Sequence, residues 1–182
     1  MTIRPVLRLG HPALRQRARA IESGSFGSQR LQTLIDDLLE TKAARSGAGL
    51  AAPQIGEPWR VVVVGMGVNP RYPQAPPVPE QVLINPEITA ASATVDTYEE
   101  GCLSIPGVYL DVVRPTAIQL SYRDEMGRPK TMKADGLMAR CIQHEMDHLK
   151  GVLFVDRVTD SGGLNKELKD HGFQAADVRS LV

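Results

Sequence analysis

Cysteine and aromatic side chains are scarce in this sequence: two cysteines, one tryptophan, three phenylalanines and four tyrosines among 182 residues. Two cysteines exclude a disulfide-stapled scaffold, and a chain of this length can bury enough apolar surface to need none. Without export they point to a reducing compartment, where thiols serve packing or metals. An excess of charge is missing too. Lys+Arg and Asp+Glu each number 21, so overall charge favours neither nucleic acid nor an anionic membrane as partner. The longest apolar run, around Val61 to Val64, is far too short to span a bilayer. The opening residues lack the apolar stretch and small-residue cleavage site of a secretory signal, and the Arg- and Ser-rich character of an organelle transit peptide. Hydrophobic residues at 42% and charged residues at 23% exclude wholesale disorder. The expectation is one cytoplasmic domain over residues 1–182. A monomer is expected, since no heptad pattern or long apolar edge stands out.

What is present centres on Gln143-His144-Glu145-Met146-Asp147-His148-Leu149-Lys150-Gly151. On a helix, His144 and His148 project from one face one turn apart, the spacing with which two imidazoles hold one metal ion. Glu145 is then a candidate base for a water on that metal. The helix is expected to start near Asp135 as cap and to stop at Gly151. Its histidines fall on the arc beside an apolar face made by Met138, Ile142, Met146 and Leu149.

The remaining chain reads as scaffold with two special loops. Residues 28–45 form a helix, with Leu31, Leu34, Ile35, Leu38 and Leu39 on a core-facing stripe, Ser28 as cap and Gly47 as left-handed stop. Strands are expected at 60–66, 82–88, 93–98, 108–113, 117–123, 130–134 and 152–158, with an interruption at Asn85-Pro86 and a hairpin connection at 124–127. Residues 69–80 hold five of the 13 prolines and read as a stiff loop. A short helix is expected at 164–171. The small-residue stretch 47–54 permits close backbone approach. The segment 99–107, marked by Gly101 and Pro106, reads as short and exposed and holds a cysteine and two acids.

Two histidines bind a metal poorly, and a catalytic site usually has three protein ligands and a water. The extended metalloprotease pattern His-Glu-x-x-His-x-x-Gly-x-x-His fails here, because Phe154 occupies its last position. Glu167 lies in a Lys-rich, solvent-facing neighbourhood. Cys141 shares the metal-facing arc, but the helix rises roughly 10 Å between it and His148, while ligand atoms on one ion lie only about 4 Å apart. Cys141 and Leu137 therefore line a pocket beside the metal or pack in the core. Cys102, on a separate segment, can approach from across a cleft, and a thiolate with two imidazoles leaves the fourth position open. A zinc endopeptidase is one rival reading. A closed structural metal site is another, with His11 and His171 as the only spare histidines.

Three ordered stretches carry a family resemblance: Gly47-Ala48-Gly49-Leu50-Ala51-Ala52-Pro53-Gln54, Glu100-Gly101-Cys102-Leu103-Ser104 and Gln143-His144-Glu145-Met146-Asp147-His148. Together they resemble the signature motifs of the peptide deformylase family. The resemblance implies an α+β fold, with small antiparallel sheets packed around a central helix carrying the His-Glu-x-x-His motif. It implies a hydrolase that removes the N-formyl group from N-terminal formylmethionine of nascent polypeptides, releasing formate. By the same resemblance the metal is Fe²⁺, with Zn²⁺, Ni²⁺ or Co²⁺ able to bind, held by Cys102, His144 and His148. Glu145 is the base, the Gln54 side-chain amide and the Leu103 backbone N–H stabilise the oxyanion, Gly49 lies along the peptide, and Leu137 and Cys141 suit the methionine side chain. N-formylmethionyl peptides are the expected partners, with a transient ribosome contact in some members; residues 172–182 show no long basic helix of the kind linked to it. Arg114 and Asp147 are expected to form a supporting ion pair.

Overall fold

A computed structural model describes residues 2–67 and 77–179. Its long central strands carry the apolar runs. Strands β1 (Gly49–Ala51), β2 (Val61–Met66), β3 (Val78–Ala91), β6 (Ala117–Arg123) and β7 (Pro129–Asp135) form one antiparallel sheet in the order β1-β2-β3-β6-β7. Strands β4 (Val95–Cys102) and β5 (Ile105–Pro115) form a separate two-stranded sheet. The three helices are α1 (Gln29–Ala44), α2 (Gly136–His148) and α3 (Ser161–Asp170). None of the described helices is long and apolar enough to cross a membrane.

Alternation along β2 explains why α1 and α2 flank the larger sheet. Val61 and Val63 join Leu31, Leu34, Ile35 and Leu38 of α1, whereas Val62 and Val64 join Ile142 and Met146 of α2. Successive side chains on a strand point to opposite faces, so a run of four valines suits a strand covered on both. A third cluster packs the β4–β5 hairpin against Leu14, Leu153, Phe154 and α3 through Leu164 and Leu168.

Several elements differ from the sequence expectation for identifiable reasons. Residues 152–158 contain a single helical turn, Phe154–Arg157, and no strand. The turn is set by Asp156, whose carboxylate accepts from Leu153 N at 2.8 Å, from Arg15 at 2.5 and 3.1 Å, and from Arg179 N at 2.8 Å. Asn85 does not end its strand. It adopts a left-handed φ of 52° where the β3–β6 register shifts, and its side chain bonds both Ile21 N and Ile21 O. Residues 69–76 of the expected proline loop lie outside the described residues, and Val78 to Glu80 belong to β3. Pro79 falls where the β2–β3 register shifts, the place where a strand tolerates a missing donor.

At the end of α1 the left-handed residue is Ser46 (φ 51°), not Gly47. Asp135 occupies the cap position of α2, but its side chain makes no capping bond. The segment 99–107 is not an exposed loop. It forms the adjoining ends of β4 and β5, with Glu100 and Cys102 buried.

Asp156 joins three distant parts of the chain, so Asp156→Ala should leave the Arg15 guanidinium without its buried partner. We expect it to lower unfolding free energy by about 3–5 kcal/mol, read from a denaturant midpoint. A change below about 1 kcal/mol would show that the clasp is dispensable.

Candidate metal centre

Helix α2 delivers its motif into the interior. His144, Glu145 and His148 are all buried. Across from them β4 ends in Cys102, which pairs with Ile105 in the tight return to β5. One ligand atom each from Cys102, His144 and His148 lies within 4.8 Å of the other two. Cys102 Sγ is 3.3 Å from His148 Nε2. Among the described residues these three form the only such group of three or more His, Cys, Asp or Glu side chains.

The imidazoles are tuned by what surrounds them. His144 Nδ1–H donates to Glu100 Oε2 at 2.9 Å, which aims Nε2 away from that carboxylate. Phe154, standing where the other metalloprotease pattern has a third histidine, stacks on the His144 ring at 5.9 Å. Burial holds the His148 pKa well below normal, supported by the charges of His144, Arg114 and Arg15, so it is the neutral form that ligates metals. For His144 burial opposes charge, but hydrogen bonds with Cys102 and Glu100 prevail and hold its pKa well above normal. The Glu100 carboxylate favours positive charge at that imidazole, and one sulfur with two imidazoles is a donor set that suits a metal ion. The donor set therefore fits a single metal.

Glu100 is the functional residue that the motif reading passed over. Burial alone would raise its pKa; hydrogen bonds from Arg114 and His144 outweigh it and hold the carboxyl well below its usual range. Arg114 donates to it at 2.6 and 2.9 Å and Arg140 at 2.8 Å. Arg114 also reaches Asp147 at 2.8 Å, the expected ion pair, and Arg157 holds Asp147 from the other side with two bonds of 2.6 Å. Little in the sequence marks it, because the expected strand ends at residue 98, short of Glu100 and Cys102.

The cleft beside Cys102, His144 and His148 is lined by Gly47, Gly49, Gln54, Leu103, Leu137, Cys141 and Glu145 among others, whereas His11, His171 and Glu167 do not line it. Gln54 Nε2 donates to Ser104 Oγ at 3.1 Å and lies 3.5 Å from Cys102 Sγ, while its Oε1 accepts from Ala51 N at 2.8 Å. A Cβ on Gly49 would sit 2.4 Å from Glu145 Oε1, so only glycine fits beside that carboxylate. Glu145 Oε2 is buried without a hydrogen-bond partner, and burial, its largest influence, pushes its pKa up to about 7. Burial likewise pushes Cys141 up to about 12, with Glu145 and Glu100 adding, and its sulfur is not part of the cluster formed by Cys102, His144 and His148.

Comparison with known proteins agrees with this geometry. Residues 3–163 match the family model described as polypeptide deformylase. A peptide deformylase of Synechococcus sp. (strain CC9311) is 65% identical over 174 residues, covering 96% of this chain and 82% of the relative. Peptide deformylase 2 of Prochlorococcus marinus (strain MIT 9313) is 60% identical, covering 96% and 83%. Among solved structures, a Synechococcus elongatus peptide deformylase in complex with actinonin superposes with a TM-score of 0.87 at 43% identity, covering 99% of this chain and 93% of that one. A class I type b peptide deformylase of Acinetobacter baumannii with Met-Ala-Ser bound gives 0.84 at 37% identity, covering 86% and 99%.

Fold, relatives and the buried Cys–His–His cluster together define a hydrolase whose site is made for a single metal ion. The chain belongs to the polypeptide deformylase family. Its activity is removal of the N-formyl group from nascent peptides.

Glu100→Gln keeps the size of this side chain but removes the negative charge facing His144. Metal affinity, measured by competition with a chelator, should fall about 10–100-fold. Unchanged affinity would mean that Glu100 serves the fold alone.

Proposed function

We propose that Cys102, His144 and His148 hold the metal and that the substrate is an N-terminal formylmethionine, released from its formyl group as formate. The observation that carries this reading is the buried meeting of one sulfur and two imidazoles beside an unbonded Glu145 oxygen. When bound, the ion supplies Lewis-acid chemistry, acidifying a water and polarising the formyl carbonyl. Fe²⁺ is the ion we favour. The protein acts as a single catalytic domain in the cytoplasm.

The chain's own groups do the rest. Glu145, with a pKa raised to about 7 by burial, accepts the proton of the attacking water and returns one to the departing amine. Gln54 Nε2 and the Leu103 backbone N–H stabilise the charge that develops on the formyl oxygen. β1 is an edge strand of its sheet, and its unpaired side offers the substrate backbone a ladder to join at Gly49. Leu137 and Cys141 provide an apolar wall for the methionine side chain. The Met-Ala-Ser bound to the Acinetobacter relative has the composition such a cleavage would leave behind, which supports a methionine-led product here.

Formate release from formyl-Met-Ala-Ser, with metal counted on the same sample, tests the reading. Glu145→Gln should keep its metal and lose about 10²–10⁴-fold in kcat. Full activity of that variant would remove the base assignment, and cleavage of internal bonds in unformylated peptides would favour an endopeptidase.

A further inference from the structure

The two arms of the cleft that carry the oxyanion donors come from segments 50 residues apart. A third segment ties them together. Leu7 N donates to the carbonyl of Gln54 at 2.7 Å, and Leu9 N, two residues on, donates to the carbonyl of Ser104 at 3.0 Å. Ser104 is also held by its own N–H, which donates to Cys102 Sγ at 3.4 Å, and by its hydroxyl, which accepts from Gln54. The Leu7 and Leu9 side chains anchor this segment in the cluster that contains Cys102, Ile105 and Phe154.

We propose that the amides of Leu7 and Leu9 are positioning groups for deformylation. They fix the spacing between the Gln54 side chain and the Leu103 N–H, the residue between Cys102 and Ser104. This inference rests on the oxyanion role given above to those two donors. Apart from the direct Gln54–Ser104 side-chain bond, each arm is set by a local turn: the single helical turn Ala52–Ile55 on one side, the return from β4 to β5 on the other. Transition-state donors act only at the right distance from the developing charge, and a misplacement near 1 Å costs on the order of 10²-fold in rate. The two amides touch neither substrate nor metal, so their removal should appear in kcat and not in binding.

Proline at either position deletes the N–H, and alanine at the same position removes the side chain while keeping it. In the full chain, Leu7→Pro and Leu9→Pro should each show a kcat about tenfold below that of the matching alanine variant. KM for formyl-Met-Ala-Ser and metal per chain should match between proline and alanine. Equal kcat for proline and alanine overturns the proposal.

A cycle with Gln54 separates positioning from general damage. In a Gln54→Ala background the Leu7→Pro loss should shrink towards unity, because the donor it positions is gone. An equal loss in both backgrounds contradicts action through Gln54. Full activity of Gln54→Ala alone would overturn the oxyanion reading itself. A loss there without any proline effect would overturn only the staple. If neither proline chain folds, hydrogen exchange on the unaltered protein decides: Leu7 and Leu9 amides exchanging as slowly as those of β2 support the staple, and exchange at open-loop rates ends it.

Discussion

The carboxylate of Glu100 is the interaction on which the site depends. A buried carboxylate costs several kcal/mol in lost hydration unless it is paired and bonded. Here two guanidinium groups and an imidazole surround it, from β5, from the middle of α2 and from the histidine motif itself. The strand that carries Cys102 is thereby locked to the helix that carries His144. Charge alternates outward from that point, through Arg114 to Asp147 and on to Arg157, and through Arg140 to Asp96. Loss of Glu100 would be the costliest change to this network, since it leaves the buried Arg114 and Arg140 guanidinium groups each short of an anion. Its reward is a sulfur and two nitrogens held near one point before any ion arrives.

Close backbone approach is the second constraint. Gly49 leaves room for the Glu145 carboxylate, and a Cβ at Gly47 would stand 2.9 Å from Leu103 Cδ1. These two glycines leave space for side chains of the two other motifs. The same bareness leaves β1 short and open-edged, the form a strand needs to receive an extended peptide.

How much of this could be read in the chain beforehand divides by distance. Helix α1 and the histidine helix were legible because a 3.6-residue period is local. Cys102 could be proposed as ligand because helix rise argued against Cys141 and Phe154 closed the alternative pattern. Glu100 escaped notice because its partners lie 14, 40 and 44 residues away, and nothing near it in sequence marks them. Residues 152–158 looked like a strand because the short buried apolar run at their start has the same composition in either form. Asp156, through bonds to residues 15 and 179, decided for the turn. Asn85 likewise looked like a break, when a left-handed bulge bonded to Ile21 carries the strand onward.

The proposed coordination sphere is read directly on purified protein by X-ray absorption at the edge of the bound metal. The account predicts one sulfur scatterer at about 2.3 Å, with two imidazole nitrogens and one further light atom near 2.0–2.1 Å. A sphere of nitrogen and oxygen alone, or one with a fourth protein ligand closing the open position, would contradict it.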